Sequence, residues 1–509
     1  MLLGDLVRRN ARRYPRETAL VSGSTSLSFD ELNRRVNGIA HALLGLGLQR
    51  DDKVAILLDN CHQYLELYFA IPQAGGVAVP INAALSGQEM TYIINNAGAK
   101  ILVFGERFTA AVDVLRPQLT LVKKLVVVGA PAIGATSYEE LVAQYPVTEP
   151  EVVANEQDVV YLLYTSGTTG LPKGIMVTHR GLLESVLNYV LGCRLRQEDI
   201  GMVTTPFFWA ASIVLGFMPQ FYVGGKVVIA DTFTPEAILK LIQQEKVTTC
   251  LLTPPTIVSM LEHPQLRRYD FSSLRHVWFS GVPMPLKTLE RALQTFDNIL
   301  FQVYGMVECT PLTIVVAEEQ ILDGSPGSIK RLASCGREGT NVEVRVVDDE
   351  GKDVAPGQVG EVIGRGDNLM RGYWKMPQAT EEALRGGYMH TGDLATRDED
   401  GYVYLVGRKK DLIVSGGQTV YAVNVEEVLY QYPDVVEASA IGVPDAKLGE
   451  AVKAVVVIRR GHKVTAADII EFCRQRLPGY ACPAIVAFMD KLPRNASGKV
   501  LKRVLREGA

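Results

Sequence analysis

Cysteine is scarce and scattered, with seven in 509 residues and no Cys-x-x-Cys pair. That excludes a disulfide framework and a zinc site of the usual spacing, and it fits a reducing, cytoplasmic setting. Charge of one sign is also missing: the formal net charge is only −4, which leaves no basic field to draw in nucleic acid. Internal repeats and low-complexity segments do not occur. No long apolar run opens the chain. Leu2, Leu3, Leu6 and Val7 are mixed with Arg8, Arg9, Arg12 and Arg13, which is not the apolar core of a signal peptide and reads as a first surface helix. The most membrane-like stretch, 207–223, contains Gly216, Pro219 and Gln220. It is barely long enough to span a bilayer, and a buried helix is expected instead.

What is present is a globular composition, 47% hydrophobic and 21% charged. The length exceeds one compact core and predicts at least two domains. Ser28 followed by Glu31 predicts a capping box. The helix it opens has apolar positions recurring at Val36, Ile39, Ala40, Leu43 and Leu44. Strands are expected at 53–58, 76–82, 99–104 and 159–164, with a helix near 64–74. Strands alternating with helices predict a parallel sheet in an α/β domain. The stretch 410–509 reads as a small α+β unit.

The densest chemistry lies at Tyr164, Thr165, Ser166, Gly167, Thr168, Thr169, Gly170, Leu171, Pro172, Lys173 and Gly174. Glycines let several backbone N–H groups face one anion, the hydroxyls add donors, and Lys173 adds a mobile positive charge. The loop is a phosphate cradle. It is not the common P-loop, because no Gly-Lys-Ser/Thr opens a helix directly after the strand. At 302–308 the chain reads Gln-Val-Tyr-Gly-Met-Val-Glu. Tyr304 can stack on a base, Gly305 allows close approach, and Glu308 is a hard oxygen ligand suited to Mg²⁺ beside phosphates. A carboxylate such as Asp393, in His-Thr-Gly-Asp-Leu, is of the kind that accepts from two ribose hydroxyls. A polar linker at 407–411 marks a domain boundary.

These motifs, in this order and across essentially the whole chain, resemble the adenylate-forming superfamily of acyl-CoA synthetases, luciferases and peptide-synthetase adenylation domains. Val-Pro-Ile-Asn at 79–82 is more typical of the acyl-CoA synthetases. The resemblance implies an α/β fold with a large N-terminal domain, 1–409, built of α/β layers plus a small β-barrel. A small mobile α+β lid, 410–509, would follow. ATP, Mg²⁺ and coenzyme A are the implied cofactors and co-substrates, and a small carboxylic acid the substrate; a homodimer is compatible with it.

The same resemblance places the terminal phosphates on Thr165, Ser166, Gly167, Thr168, Thr169, Gly170 and Lys173. Ser280, Gly281, Val282, Tyr304, Gly305 and Met306 would hold the adenine side, and Asp393 and Arg408 the ribose. Glu308, with Thr165, is the implied metal side. Lys499, Glu308 and Arg408 are the implied catalytic residues, and Lys410 the implied hinge. Ser415, Gly416 and Gly417 would line the entry of CoA, although Thr419 and Ala422 stand where relatives usually have Asn and Pro. Trp209, Ser212, Val303, Met306 and Val307 would line the acyl pocket, with Trp209 where many relatives carry histidine. Their apolar character favours a fatty or aromatic acid, activated as acyl-AMP and passed to CoA. The alternative is delivery to a free-standing carrier protein, since no fused carrier domain follows residue 509.

Overall fold

A computed structural model describes residues 1–165, 171–281, 284–494 and 500–507. Ser166, Gly167, Thr168, Thr169, Gly170, Val282 and Lys499 therefore lie outside the described residues. The described chain forms two compact units. One comprises Met1–Thr165, Leu171–Val344 and Gly364–Met389, and the other Arg345–Ile363 and the residues from His390 onward.

The first unit contains two large mixed sheets. The eight-stranded sheet runs Gly372–Tyr373, Lys173–Thr178, Val159–Thr165, Val77–Pro80, Lys53–Leu57, Ala99–Gly105, Lys124–Val128 and Thr136–Ser137. From Val159–Thr165 onward its neighbours are parallel. In the nine-stranded sheet, five central strands follow the order Leu300–Met306, His276–Phe279, Thr249–Leu252, Ile200–Val203 and Lys226–Ile229, all parallel. Apart from Leu300–Met306, these strands are almost wholly buried, as parallel strands covered on both faces must be. The capping box forms as expected: Ser28 Oγ accepts from Glu31 N–H at 3.2 Å, and Ser28 N–H donates to the Glu31 carboxylate at 2.8 Å.

The stretch 207–223 is buried, but it is not one regular helix. Ser212–Phe217 is a π-helical segment and Met218–Val223 an α-helix. Pro219 has no N–H to give to the carbonyl four residues back, so the hydrogen-bond ladder shifts register just before it. Among the described residues no helix is long and apolar enough to cross a membrane.

The strand Lys173–Thr178 runs into the helix His179–Gly192, capped by Thr178. The buried His179 accepts the Leu3 N–H on Nδ1 at 3.1 Å. Burial pushes its pKa from 6.5 down to about 4. The unfolded chain therefore binds the extra proton between pH 6.5 and 4. Stability should be intact above that window and fall as pH drops through it, by up to about 3 kcal/mol from this residue. His276, likewise depressed to about 4 by burial, acts in the same window. His179→Asn keeps an acceptor near Nδ1 without a titrating ring. Urea-unfolding midpoints from pH 7 to 4 should show a shallower decline for this variant than for wild type.

A four-stranded sheet is built largely from the second unit. Its order is Val342–Val347, Gly360–Gly366, Met389–Arg397 and Val403–Arg408. A second sheet, Gln418–Tyr421, Leu412–Ser415, Gly449–Ile458 and Val435–Asp445, with Ile485–Phe488 added parallel to Gly449–Ile458, packs on the helices Ala422–Tyr430 and Ala466–Arg474 around Ile413, Val425, Leu429 and Ile469.

Candidate active site

In open α/β sheets ligands bind beyond the carboxyl ends of parallel strands. Three strands of the nine-stranded sheet end on expected site residues or lead into them. His276–Phe279 leads to Ser280 and Gly281, and Leu300–Met306 carries Val303, Tyr304, Gly305 and Met306. Val307 and Glu308 form the tip of the tight hairpin that pairs Met306 with Cys309. Ile200–Val203 leads to the loop bearing Trp209. At Gly305 a Cβ would lie 2.8 Å from the Cys309 carbonyl oxygen, so no other residue fits without displacing backbone. These residues therefore share one edge of one sheet.

The hairpin expected to cradle phosphate belongs to the other sheet, and in it Thr165 and Lys173 face each other. The Lys173 ammonium lies over the Tyr373 ring, 5.0 Å from its centroid. The Tyr373 hydroxyl donates to Glu308 Oε1 at 3.0 Å. Burial, reinforced by the Glu308 charge, pushes the phenol well above its usual pKa, so it stays a donor at neutral pH. Glu308 is only 7% exposed. No group of three or more His, Cys, Asp or Glu gathers as a metal cage among the described residues. A single enclosed carboxylate is what Mg²⁺ requires when nucleotide phosphates supply further oxygens, so Glu308 fits that ion.

The loop 204–212 is pinned by side chains that nothing in the local sequence signals. Asn60 Nδ2 donates to the Thr205 carbonyl at 2.9 Å, and Asn60 Oδ1 accepts the Phe207 N–H at 2.8 Å. The buried Tyr68 hydroxyl donates to the Phe207 carbonyl at 2.7 Å. Ser212, expected at the acyl side, is buried, its Oγ donating to the Pro206 carbonyl at 2.6 Å, so it supports the loop's own backbone. Trp209 is half-buried and meets Phe208 edge-on. A cavity of about 20 Å³ adjoins this loop, lined by residues including Leu163, Leu182, Ala210, Ile213, Val214 and Val307. None of the residues lining it carries a charge.

Within the second unit, Asp393 and Arg408 stand opposite each other on antiparallel strands. Arg408 Nε donates to Asp393 Oδ1 at 2.7 Å. The two expected ribose residues are thus one ion pair. Lys410 sits in the single turn Lys409–Asp411 between the strands Val403–Arg408 and Leu412–Ser415. Gly416 and Gly417 form the two-residue turn of a hairpin, with Ser415 paired to Gln418. Both central residues have positive φ, 59° and 77°, the conformation that makes glycine preferred there. Ser415 is buried beside them.

Residues 7–374 match the family described as AMP-binding enzyme, and 424–499 match the AMP-binding enzyme C-terminal domain. The chain belongs to the adenylate-forming superfamily of acyl-CoA synthetases. Two curated adenylate-forming relatives align almost end to end. One is a feruloyl-CoA synthase from Amycolatopsis sp, 36% identical over 99% of this chain and 98% of its own. The other is an indoleacetate–CoA ligase from Aromatoleum aromaticum, 32% identical over 100% and 98%. The crystal structure of ATP-bound MatB from Rhodopseudomonas palustris superposes with a TM-score of 0.89, at 29% identity, covering 100% of this chain and 99% of that one. The fold of this adenylate-forming chain, a large N-terminal α/β part and a small C-terminal part, is therefore that of solved superfamily members.

Proposed function

We propose that the protein activates an apolar carboxylic acid, aromatic in preference to fatty, as its acyl-AMP and transfers the acyl group to CoA. The uncharged side chains expected on the acyl side, Trp209, Val303, Met306 and Val307, carry this reading, because a second carboxylate or an amine on the substrate would find no counter-charge among them. The substrates named for two of the curated relatives, ferulate and indoleacetate, support the aromatic preference, while others at 31% identity are named long-chain-fatty-acid–CoA ligases.

One carboxylate oxygen attacks the α-phosphorus of ATP. The bond from that phosphorus to the bridging oxygen breaks, and pyrophosphate leaves. Positioned positive charge and N–H donors are what this transition state needs. Thr165, the loop 166–170 and Lys173 would hold the β- and γ-phosphates, and Lys499 the α-phosphate and the carboxylate. Asp393, with Arg408, would hold the ribose. Mg²⁺, bound through Glu308, would supply neutralising charge at the phosphates. In the second step the CoA sulfur attacks the acyl carbonyl carbon, the thiol proton is lost, and the carbon–oxygen bond to AMP breaks.

The lid, 410–509, would turn about Lys410 between the two steps, exchanging Lys499 for the turn Ser415 to Gly417. Lys410→Pro should slow thioester formation by about tenfold or more while sparing adenylation. An equal fall in both half-reactions would remove Lys410 as the hinge.

ATP–pyrophosphate exchange across cinnamic, arylacetic, fatty and amino acids, with and without CoA, tests the whole reading. Exchange with aromatic acids, and thioester once CoA is added, is expected. Exchange without any CoA thioester would replace CoA with a carrier-protein acceptor, and exchange confined to amino acids would overturn the substrate class.

A further inference from the structure

Gly372 and Tyr373 form a two-residue strand. It is stitched onto the outgoing arm of the phosphate hairpin, with Gly372 opposite Met176 and Tyr373 opposite Ile175. Arg371 N–H donates to the Met176 carbonyl at 2.9 Å, and Trp374 N–H to the Gly174 carbonyl at 2.7 Å. The Tyr373 N–H is held by Thr380 Oγ1 at 2.9 Å. Next to this strand, Met370 N–H donates to the Glu308 carbonyl at 2.7 Å. The segment 370–374 therefore grips the hairpin and the Glu308 turn at once, by backbone. Its one side chain that touches both functional groups is Tyr373, ring under Lys173 and hydroxyl on Glu308.

We infer that Tyr373 is a positioning residue that couples the phosphate loop to the metal-side carboxylate. The inference rests on the nucleotide site proposed above. A lysine ammonium on four rotatable bonds is a poorly placed point charge, and an aromatic face beneath it narrows where it rests. A phenol donating to one carboxylate oxygen fixes the plane of that carboxylate. One rigid ring thus sets the spacing between the two charges that must meet the same triphosphate.

The test uses the full-length protein, a non-hydrolysable ATP analogue and Mg²⁺ titrations followed by calorimetry, with no acid present. Tyr373→Phe keeps the ring and loses the hydrogen bond, and should raise the Mg²⁺ needed for half-maximal nucleotide binding by about tenfold, the worth of a hydrogen bond to a charged group. In a Glu308→Gln background the same change should add nothing. Tyr373→Leu should also weaken nucleotide binding at saturating Mg²⁺, by about three- to fivefold, as Lys173 loses its aromatic face. The KM for the acid should stay within about twofold of wild type in Tyr373→Phe, which a general loss of packing would not spare. Unchanged Mg²⁺ dependence in Tyr373→Phe, or the same shift with and without Glu308, would overturn the coupling while leaving the proposed function standing. Wild-type protein that binds no nucleotide would overturn both.

Discussion

Glu308→Gln should lower ATP–pyrophosphate exchange by about a hundredfold or more. The replacement is nearly isosteric, and a glutamine oxygen can still accept from Tyr373, so the hairpin tip at Val307 and Glu308 should keep its shape. What disappears is the formal negative charge of an enclosed side chain, 7% exposed. Lewis-acid neutralisation of phosphate charge is worth several kcal/mol, and each 1.4 kcal/mol is about tenfold in rate. A defect this large should be partly recovered by raising Mg²⁺, because the lost interaction is with the cation and not with the acid. The acid KM should move little, and the unfolding temperature should stay within about 2 °C of wild type, as for a substitution that opens no cavity. Near-wild-type exchange at every Mg²⁺ concentration would remove Glu308 from the metal side and, with it, the reason for coupling Tyr373 to Lys173.

Features whose residues lie close together in sequence were legible before any coordinates. Ser28 and Glu31 are three residues apart, and their capping box forms as the pattern requires. Gly416 and Gly417 announce a tight turn, and the turn is there. Tyr304, Gly305 and Glu308 read as one short motif, and the structure puts them on a single strand and the hairpin tip that follows it.

What stayed hidden depends on register between distant segments. Tyr373 lies 65 residues from Glu308 in the chain, and no periodicity or spacing brings it to Lys173. Asp393 and Arg408 were each read as ribose contacts, but only the antiparallel pairing sets them face to face. Asn60 and Tyr68 belong to no motif, yet their polar atoms hold a loop more than a hundred residues away. The π-helical segment at Ser212–Phe217 escaped for another reason. Hydrophobicity shows that 207–223 is buried but cannot show how the backbone ladder accommodates Pro219.

Glu66→Ala should destabilise the first unit by about 3–5 kcal/mol, the cost of breaking a buried ion pair by removing one partner. Glu66 has no exposed surface, and its carboxylate takes Arg35 Nε at 2.6 Å, His62 Nδ1 at 2.8 Å and the Tyr138 hydroxyl at 2.8 Å. Burial alone would raise its pKa, but the hydrogen bonds from His62 and Arg35 and the Arg35 charge outweigh it and hold the group below its usual value. The carboxylate is therefore ionised in the folded protein at neutral pH, and alanine leaves several buried donors without an acceptor. Glu66→Gln retains acceptors without the charge and should cost less, which separates hydrogen bonding from ion pairing. Denaturant unfolding measures both variants, and a loss below about 1 kcal/mol in Glu66→Ala would show that Arg35 is satisfied by Glu139 alone, its other carboxylate partner at 2.9 Å. The consequence should reach the substrate side as well. Glu66 lies on the helix His62–Gln73, and the same helix carries Tyr68, which pins the Phe207 carbonyl. Loosening that helix loosens the loop that presents Trp209. In Glu66→Gln, which should stay folded, the KM for the acid should therefore rise more than the KM for ATP.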